Sequence, residues 1–70
     1  MIPKVGEPLV LEAGTKVHSM NPQHETERVL ARKQTITPYF VDDYGQDFVV
    51  VTWVGSGGYW QRVDIPKGDN

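Results

Sequence analysis

Residues 48–60 of this chain read FVVVTWVGSGGYW. Phe48 to Val54 is a run of β-branched and aromatic residues, which favour strands, and the glycines that follow favour a tight turn. Tyr59 and Trp60 then begin a second predicted strand that extends to Ile65. The segment therefore predicts a β-hairpin, and we expect the rest of the domain to be built around it.

The first strand of this hairpin is apolar on both faces. Alternate side chains of a strand point in opposite directions, and a strand with one face in water alternates apolar with polar residues. Here the two faces carry Val49, Val51 and Trp53 on one side, and Phe48, Val50 and Val54 on the other. We therefore expect both faces to be covered, by the curl of a barrel, by another segment or by a second subunit.

Shorter strands are predicted at 9–11 and at 15–20, with Ala13-Gly14 as the turn between them and Val17 pointing inward. Residues 21–26 are predicted to form a polar loop or a single helical turn. A long strand follows from about Arg28 to Val41, with a bend, bulge or edge at Thr37-Pro38 because proline cannot donate a ladder hydrogen bond. A polar hairpin loop over 42–47, with Gly45 available for a left-handed position, leads into the strand at 48.

An α+β fold is the alternative. Asn21 can cap a helix and Pro22 can occupy its first turn. In that case residues 22–34 form a helix that packs on a four-stranded sheet. The consecutive apolar residues Val29, Leu30 and Ala31 do not repeat on one helical face, which favours the all-β fold.

Five short strands, a long polar excursion after the second strand and a final meander with tight turns resemble an SH3-like small β-barrel domain. Segment 51–60, VTWVGSGGYW, has the strand, glycine turn and aromatic strand of such barrels. The resemblance covers residues 9–65 and implies a five-stranded barrel with a C-terminal β-meander. It implies no ligand, because the chain lacks the acidic specificity loop before a paired-Trp strand and the terminal Pro-Tyr pair of signalling SH3 domains. Short proteins of this kind also resemble accessory proteins of phages or mobile elements.

Length and composition indicate a single small domain. The chain has 70 residues, no cysteine and a formal net charge of −2. We expect an ordered core over 9–65 with loose ends at 1–8 and 66–70. A domain of this size without disulfides or thiolate metal sites has a small core, so a homo-oligomer is one expected solution. The longest apolar stretch is too short to span a bilayer and no signal peptide is recognisable, which predicts a cytoplasmic protein with no membrane contact.

The aromatic residues indicate a partner-binding surface. If Tyr59, Val63 and Ile65 fill the core, alternation leaves Trp60 outside beside Arg62. Trp, Tyr and Arg are the residue types that contribute most to binding energy at protein interfaces. We therefore expect a protein partner to bind at a surface made by Trp60, Arg62, Tyr59 and Trp53. The alternative is that Trp60 is covered by the N-terminal segment or by the loop over 21–27.

A nucleic-acid partner is the rival hypothesis. Arg28, Arg32 and Lys33 lie close together in the sequence and could hold phosphates, with an aromatic residue for base stacking. The acidic total argues against this function, because nucleic-acid binders draw much of their affinity from a basic field. The same three residues are also compatible with an ordinary solvated face.

No catalytic, metal or cofactor site is predicted. His18 and Ser19 are neighbours in a strand, so their side chains leave opposite faces and cannot form a base–nucleophile pair. The acidic residues of the 42–47 loop lack the regular spacing of a calcium loop. His18, His24, Glu25 and Glu27 show no zinc spacing. The sequence therefore predicts a small non-enzymatic binding module.

Overall fold

A computed structural model describes residues 2–21, 24–55 and 57–68. These residues form an all-β domain, as the sequence predicts, and they contain no helix. The described strands are β1 Leu9–Leu11, β2 Lys16–Asn21, β3 His24–Val29, β4 Gln34–Ile36, β5 Phe40–Asp42, β6 Phe48–Val54 and β7 Trp60–Pro66.

The described strands form two antiparallel sheets. Five of them lie in the order β3-β2-β7-β6-β5, and β1 pairs with β4 in a separate two-stranded sheet. The predicted C-terminal meander is present as β5-β6-β7. The five-stranded barrel is not found: among the described strands, β3 and β5 are opposite edges of the larger sheet and do not pair, and there are seven strands instead of five.

The core lies between the two sheets. Leu11 of β1 and Ile36 of β4 pack against the inner face of the larger sheet, together with Leu30 from the β3–β4 connection. The larger sheet contributes the other buried members, which are Val17, Val49, Val51, Trp53 and Val63. The two-stranded sheet is therefore the cover for one face of the domain, and the inward position predicted for Val17 is confirmed.

The prediction of one long strand from Arg28 to Val41 is wrong. That stretch contains the end of β3, the whole of β4 and the beginning of β5. The chain leaves β3 after Val29, and the buried Leu30 turns into the core with its N–H bonded to Thr15 O at 2.9 Å. A second break follows β4, where Thr37-Pro38 ends the strand and Pro38 is buried. The break at Thr37-Pro38 agrees with the bend expected from proline.

The helix considered for residues 22–34 is also wrong over the part that the structure describes. Residues 24–29 form β3, paired with β2 from Asn21–His24 to Lys16–Val29, and Gln34 begins β4. The polar loop or helical turn predicted at 21–26 is wrong for the same reason, because Asn21 belongs to β2 and residues 24–26 belong to β3. Pro22 and Gln23 lie outside the described residues.

β6 is covered on one face only. Val49, Val51 and Trp53 are buried between the sheets. On the outer face Phe48 and Val50 are half-buried by their neighbours and Val54 is exposed. Among the described residues, neither the curl of a barrel nor another segment covers the outer face of β6, because the layer that packs on the larger sheet lies on its inner face. Cover by a second subunit stays a prediction.

The hairpin loop between β5 and β6 is tied to the end of β7. Gly45 has a φ of 82°, as the loop required, and its N–H donates to Asp43 Oδ1 at 2.9 Å. Lys67 Nζ lies 2.8 Å from the same oxygen, and Lys67 N donates to Asp47 O at 2.8 Å. At the other end of the chain, Gly6 N donates to Pro38 O at 3.0 Å. Both segments flanking the strands are therefore held by specific bonds.

Leu11→Ala tests the role of the small sheet. Removing a buried leucine leaves a cavity, and we expect a loss of about 2–4 kcal/mol in the free energy of unfolding. That loss is a large part of the total for a domain of this size. Chemical denaturation measures it, and Val10→Ala, an exposed site on the same strand, is the control with a change near zero. Equal effects of the two substitutions would contradict the assignment of β1 to the core.

Asp43→Asn tests the loop clamp through its pH dependence. The ammonium of Lys67, together with the N–H of Gly45, lowers the pKa of Asp43 below its ordinary value. A lowered folded-state pKa means stability that is present above the unfolded-state pKa of about 3.9 and is lost as pH falls through the folded-state pKa.

We therefore expect wild type to exceed Asp43→Asn in stability at pH 6. The difference should shrink below about pH 4 and in high salt, because the pair is exposed. Denaturation curves between pH 6 and pH 2 measure it. A constant difference across that range would mean that charge does not contribute.

Candidate functional site

Three aromatic rings meet on the outer surface of the larger sheet. Tyr39, Phe40 and Trp60 are 59%, 49% and 39% exposed. Their ring centroids lie 4.9 Å apart for Tyr39–Phe40, 5.3 Å for Tyr39–Trp60 and 5.8 Å for Phe40–Trp60. The first two pairs are edge-to-face, an arrangement that aromatic quadrupoles favour. We call these three residues the aromatic cluster.

The sheet register brings the cluster together. Phe40 of β5 pairs with Thr52 of β6, and Trp60 of β7 pairs with Val54 of β6. Thr52 and Val54 are two residues apart, so their side chains, and those of their partners, share the outer face. Tyr39 is fixed immediately before β5, where its N–H donates to Thr52 O at 2.8 Å. The cluster therefore bridges two strands that are not neighbours.

A row of polar side chains borders the cluster. Cross-strand pairing places Glu27, His18, Arg62, Thr52 and Phe40 in line across all five strands of the larger sheet. His18 Nε2 lies 3.3 Å from Glu27 Oε2. Arg62 is half-buried, and its Nε is enclosed with no hydrogen-bond partner among the described residues. A cationic side chain thus lies on the same face as the aromatic cluster, two positions from Trp60 along β7.

The structure separates the four residues predicted to form the partner-binding surface. Trp60 is exposed and Arg62 lies two residues away on the same face of β7. Trp53 is 3% exposed and belongs to the core, so it is not part of this surface. Tyr59 is exposed but precedes β7, where it packs beside Gly57 of the turn. The alternation along β7 would have placed Tyr59 in the core, but its side chain is exposed.

Sequence reasoning missed Tyr39 and Phe40 as members of this surface. The concentration of all seven aromatic residues between positions 39 and 60 is visible in the sequence. What the sequence leaves open is the β5–β6 register. A shift of one residue would turn Phe40 to the inner face.

A second missed residue is Gln61, the buried polar side chain on the inner face of β7. Arg28 Nη2 donates to Gln61 Oε1 at 3.3 Å, and Gln61 Nε2 donates to Ser19 Oγ at 3.5 Å. These bonds are long, so each contributes modestly, but they satisfy an amide that would otherwise be costly to bury. The sequence did contain a sign of this position. Gln61 lies between Tyr59 and Val63 in the alternating pattern, which predicts that its side chain points inward.

The three residues of the predicted basic patch, Arg28, Arg32 and Lys33, lie on two different segments. Arg28 is in β3 on the inner side of the sheet, opposite Val17, and is engaged with Gln61. Arg32 and Lys33 are exposed in the connection between β3 and β4. The strand alternation that would have aligned Arg28 with Arg32 is absent, because β3 ends at Val29.

The described residues show no group of three or more His, Cys, Asp or Glu side chains placed to hold a metal ion. Within the same residues there is also no helix of the length and apolarity needed to cross a membrane. In the acidic loop, Asp43 is engaged with Gly45 and Lys67, which gives that residue a structural role.

Comparisons with protein-family models, with curated proteins and with solved structures found no match.

Gly55→Ala tests the packing behind the cluster. A Cβ at Gly55 would lie 2.9 Å from Gln61 Cγ and 3.1 Å from Gln61 Cδ. Overpacking costs about 1–3 kcal/mol, while the reduced entropy of the unfolded chain returns about 0.4–1 kcal/mol, so we expect a net loss on the order of 1 kcal/mol. Chemical denaturation measures it.

The double variant Gly55→Ala/Gln61→Ala is the control for this clash. Removing the Gln61 side chain makes room for the new methyl group, so the double variant should lose less stability than the sum of the two single variants. Strict additivity would mean that contact with Gln61 is not the reason for glycine at position 55.

Proposed function

We propose that this protein is a non-enzymatic binding module that docks a protein partner on the aromatic cluster. The observation that carries the proposal is the contact of three exposed rings on a sheet face that no other described segment covers. Tyrosine and tryptophan at such positions are typical hot-spot residues, because they bury a large area with few rotatable bonds.

The size of the surface supports this function. A large aromatic side chain buries about 150–250 Å², so three rings that are about half exposed offer on the order of 300 Å². Val54 and Met20 are also exposed on the same face and enlarge the apolar area. Contiguous apolar patches of roughly 300–600 Å² are often functional in monomeric proteins.

Arg62 is proposed to contribute specificity at the border of the cluster. It lies between Trp60 and Asp64 on the outer face of β7, in register with His18 on one side and Thr52 on the other. A guanidinium held beside apolar rings can bind a carboxylate or a backbone carbonyl of a partner. The partner surface would then combine apolar side chains with an acceptor group.

Trp60→Ala tests the proposal, with Tyr44→Ala as the matched control. Tyr44 is an exposed aromatic residue in the loop at the far end of β5. A protein captured from lysate of the source cells by wild type should be purified and titrated against each variant by calorimetry. We expect Trp60→Ala to weaken binding by roughly thirtyfold or more, as for a hot-spot residue, and Tyr44→Ala to leave it unchanged.

Circular dichroism of Trp60→Ala must show the wild-type fold for this result to count. A folded Trp60→Ala variant that binds the partner with wild-type affinity would refute the proposal. Binding that falls steeply with salt and depends on Arg32 and Lys33 would instead favour the nucleic-acid hypothesis, because displaced counterions set that slope.

A further inference from the structure

Arg62 is a half-buried cation that has no partner in the part of the chain that the structure describes. Its Nε is enclosed on the outer face of β7 without a hydrogen bond. Among the described residues, its guanidinium also forms no ion pair and no ring contact. Most buried polar atoms in folded proteins are paired, because an unpaired donor that is removed from water is costly. An acceptor supplied by a bound partner would remove this cost.

Two acidic side chains of the outer face flank Arg62 without pairing with it. Glu27 lies in the same row, but His18 lies between them and has its Nε2 3.3 Å from Glu27 Oε2. Asp64 is exposed two positions along β7, and the described residues show no ion pair between it and Arg62. The charge of Arg62 is therefore available to an acceptor from outside the chain.

We propose that Arg62 binds a single carboxylate of the partner, carried on an extended segment whose apolar side chains cover the aromatic cluster. This inference rests on the proposed function of the cluster and names the chemistry of the partner. The planar guanidinium can donate two parallel hydrogen bonds to the two oxygens of a carboxylate. Binding includes a rotation of the Arg62 side chain that brings Nε to one of these oxygens.

The spacing between ring and cation determines the form of the partner segment. Trp60 and Arg62 lie two positions apart on the same face of β7, which is about 6.6 Å along a strand at about 3.3 Å per residue. In an extended segment of the partner, side chains two positions apart also share a face at this spacing. An apolar residue and a carboxylate residue in that relation would face Trp60 and Arg62 at the same time.

The charges around Arg62 favour one carboxylate over a more acidic ligand. Glu27, Asp42 and Asp64 lie on the outer face of the larger sheet with Arg62. A phosphate group carries about −1.5 to −2 charges near neutral pH, and a run of acidic residues carries more. Both would be repelled by these three carboxylates more strongly than a single negative charge would be.

Two blocked peptides test the inference in an NMR titration of the full chain. One is acetyl-Leu-Ser-Leu-Ser-Glu-amide, and the other has Gln in place of Glu. Both present the leucines and the last residue on one face when extended, and they differ only in charge. We expect wild type to bind the Glu peptide about fivefold or more tightly, because a charge-assisted hydrogen bond is stronger than a neutral one. The Nε–H signal of Arg62 should shift with the Glu peptide.

Three variants separate the charge from the apolar contact. Arg62→Met removes the charge and keeps an apolar stem, so the preference for the Glu peptide should disappear. Lys16→Met is the matched control, because Lys16 is an exposed cation on the same face, and it should keep the preference. Trp60→Ala should weaken both peptides equally. If Arg62→Met loses the wild-type circular dichroism spectrum, Arg62→Lys replaces it, with a reduced preference expected because lysine lacks the planar fork.

The outcomes distinguish this inference from the proposed function. Equal affinity of wild type for the two peptides, binding of neither, or a preference that persists in Arg62→Met overturns the carboxylate anchor. Tighter binding of the same peptide with phosphoserine in place of Glu overturns the choice of a single carboxylate. The proposed function survives these results if Trp60→Ala still loses the protein captured from lysate. Unchanged binding of both peptides to Trp60→Ala would instead refute the aromatic cluster as the docking site.

Discussion

The pairing of β6 with β7 is the constraint on which the rest of the structure depends. It runs in register from Phe48–Pro66 to Val54–Trp60 and is closed by the glycine turn, where Gly57 and Gly58 both have positive φ. This single register decides which side chains face the core and which face outward. Val51 and Val63 go inward as one pair, and Val54 and Trp60 go outward as another. A slip of one residue would reverse both assignments.

The local parts of this arrangement could be predicted from the sequence. The apolar run over 48–54, the glycines after it and the inward position of Val17 are strong local signals, and all three agree with the structure. The pairing partners could not be predicted in the same way. β2 pairs with β7 across more than forty positions of the chain, as shown by His18 with Arg62. No local propensity encodes such a contact, and the ends of β3, β4 and β5 follow from it.

The surface residues show the same division. Alternation along β7 left Trp60 beside Arg62, and the structure has both on the outer face. It gave no reason to place Tyr39 and Phe40 next to them, because their position depends on the β5–β6 register and on the break at Pro38. Trp53 was predicted to lie on the surface and is buried instead. Its residue type is typical of interfaces, but its odd-numbered position on β6 sends it into the core with Val49 and Val51.

The distribution of aromatic and polar side chains is the reverse of what core formation alone would produce. A buried amide, Gln61, takes an inward position on β7 and requires bonds to Arg28 and Ser19, while the neighbouring Trp60 remains outside. A chain of 70 residues has few large apolar groups with which to build a core. Burying Gln61 while leaving three aromatic rings exposed forgoes stabilisation that the domain could have used. The outer position of these rings is the reason that we propose contact with another surface.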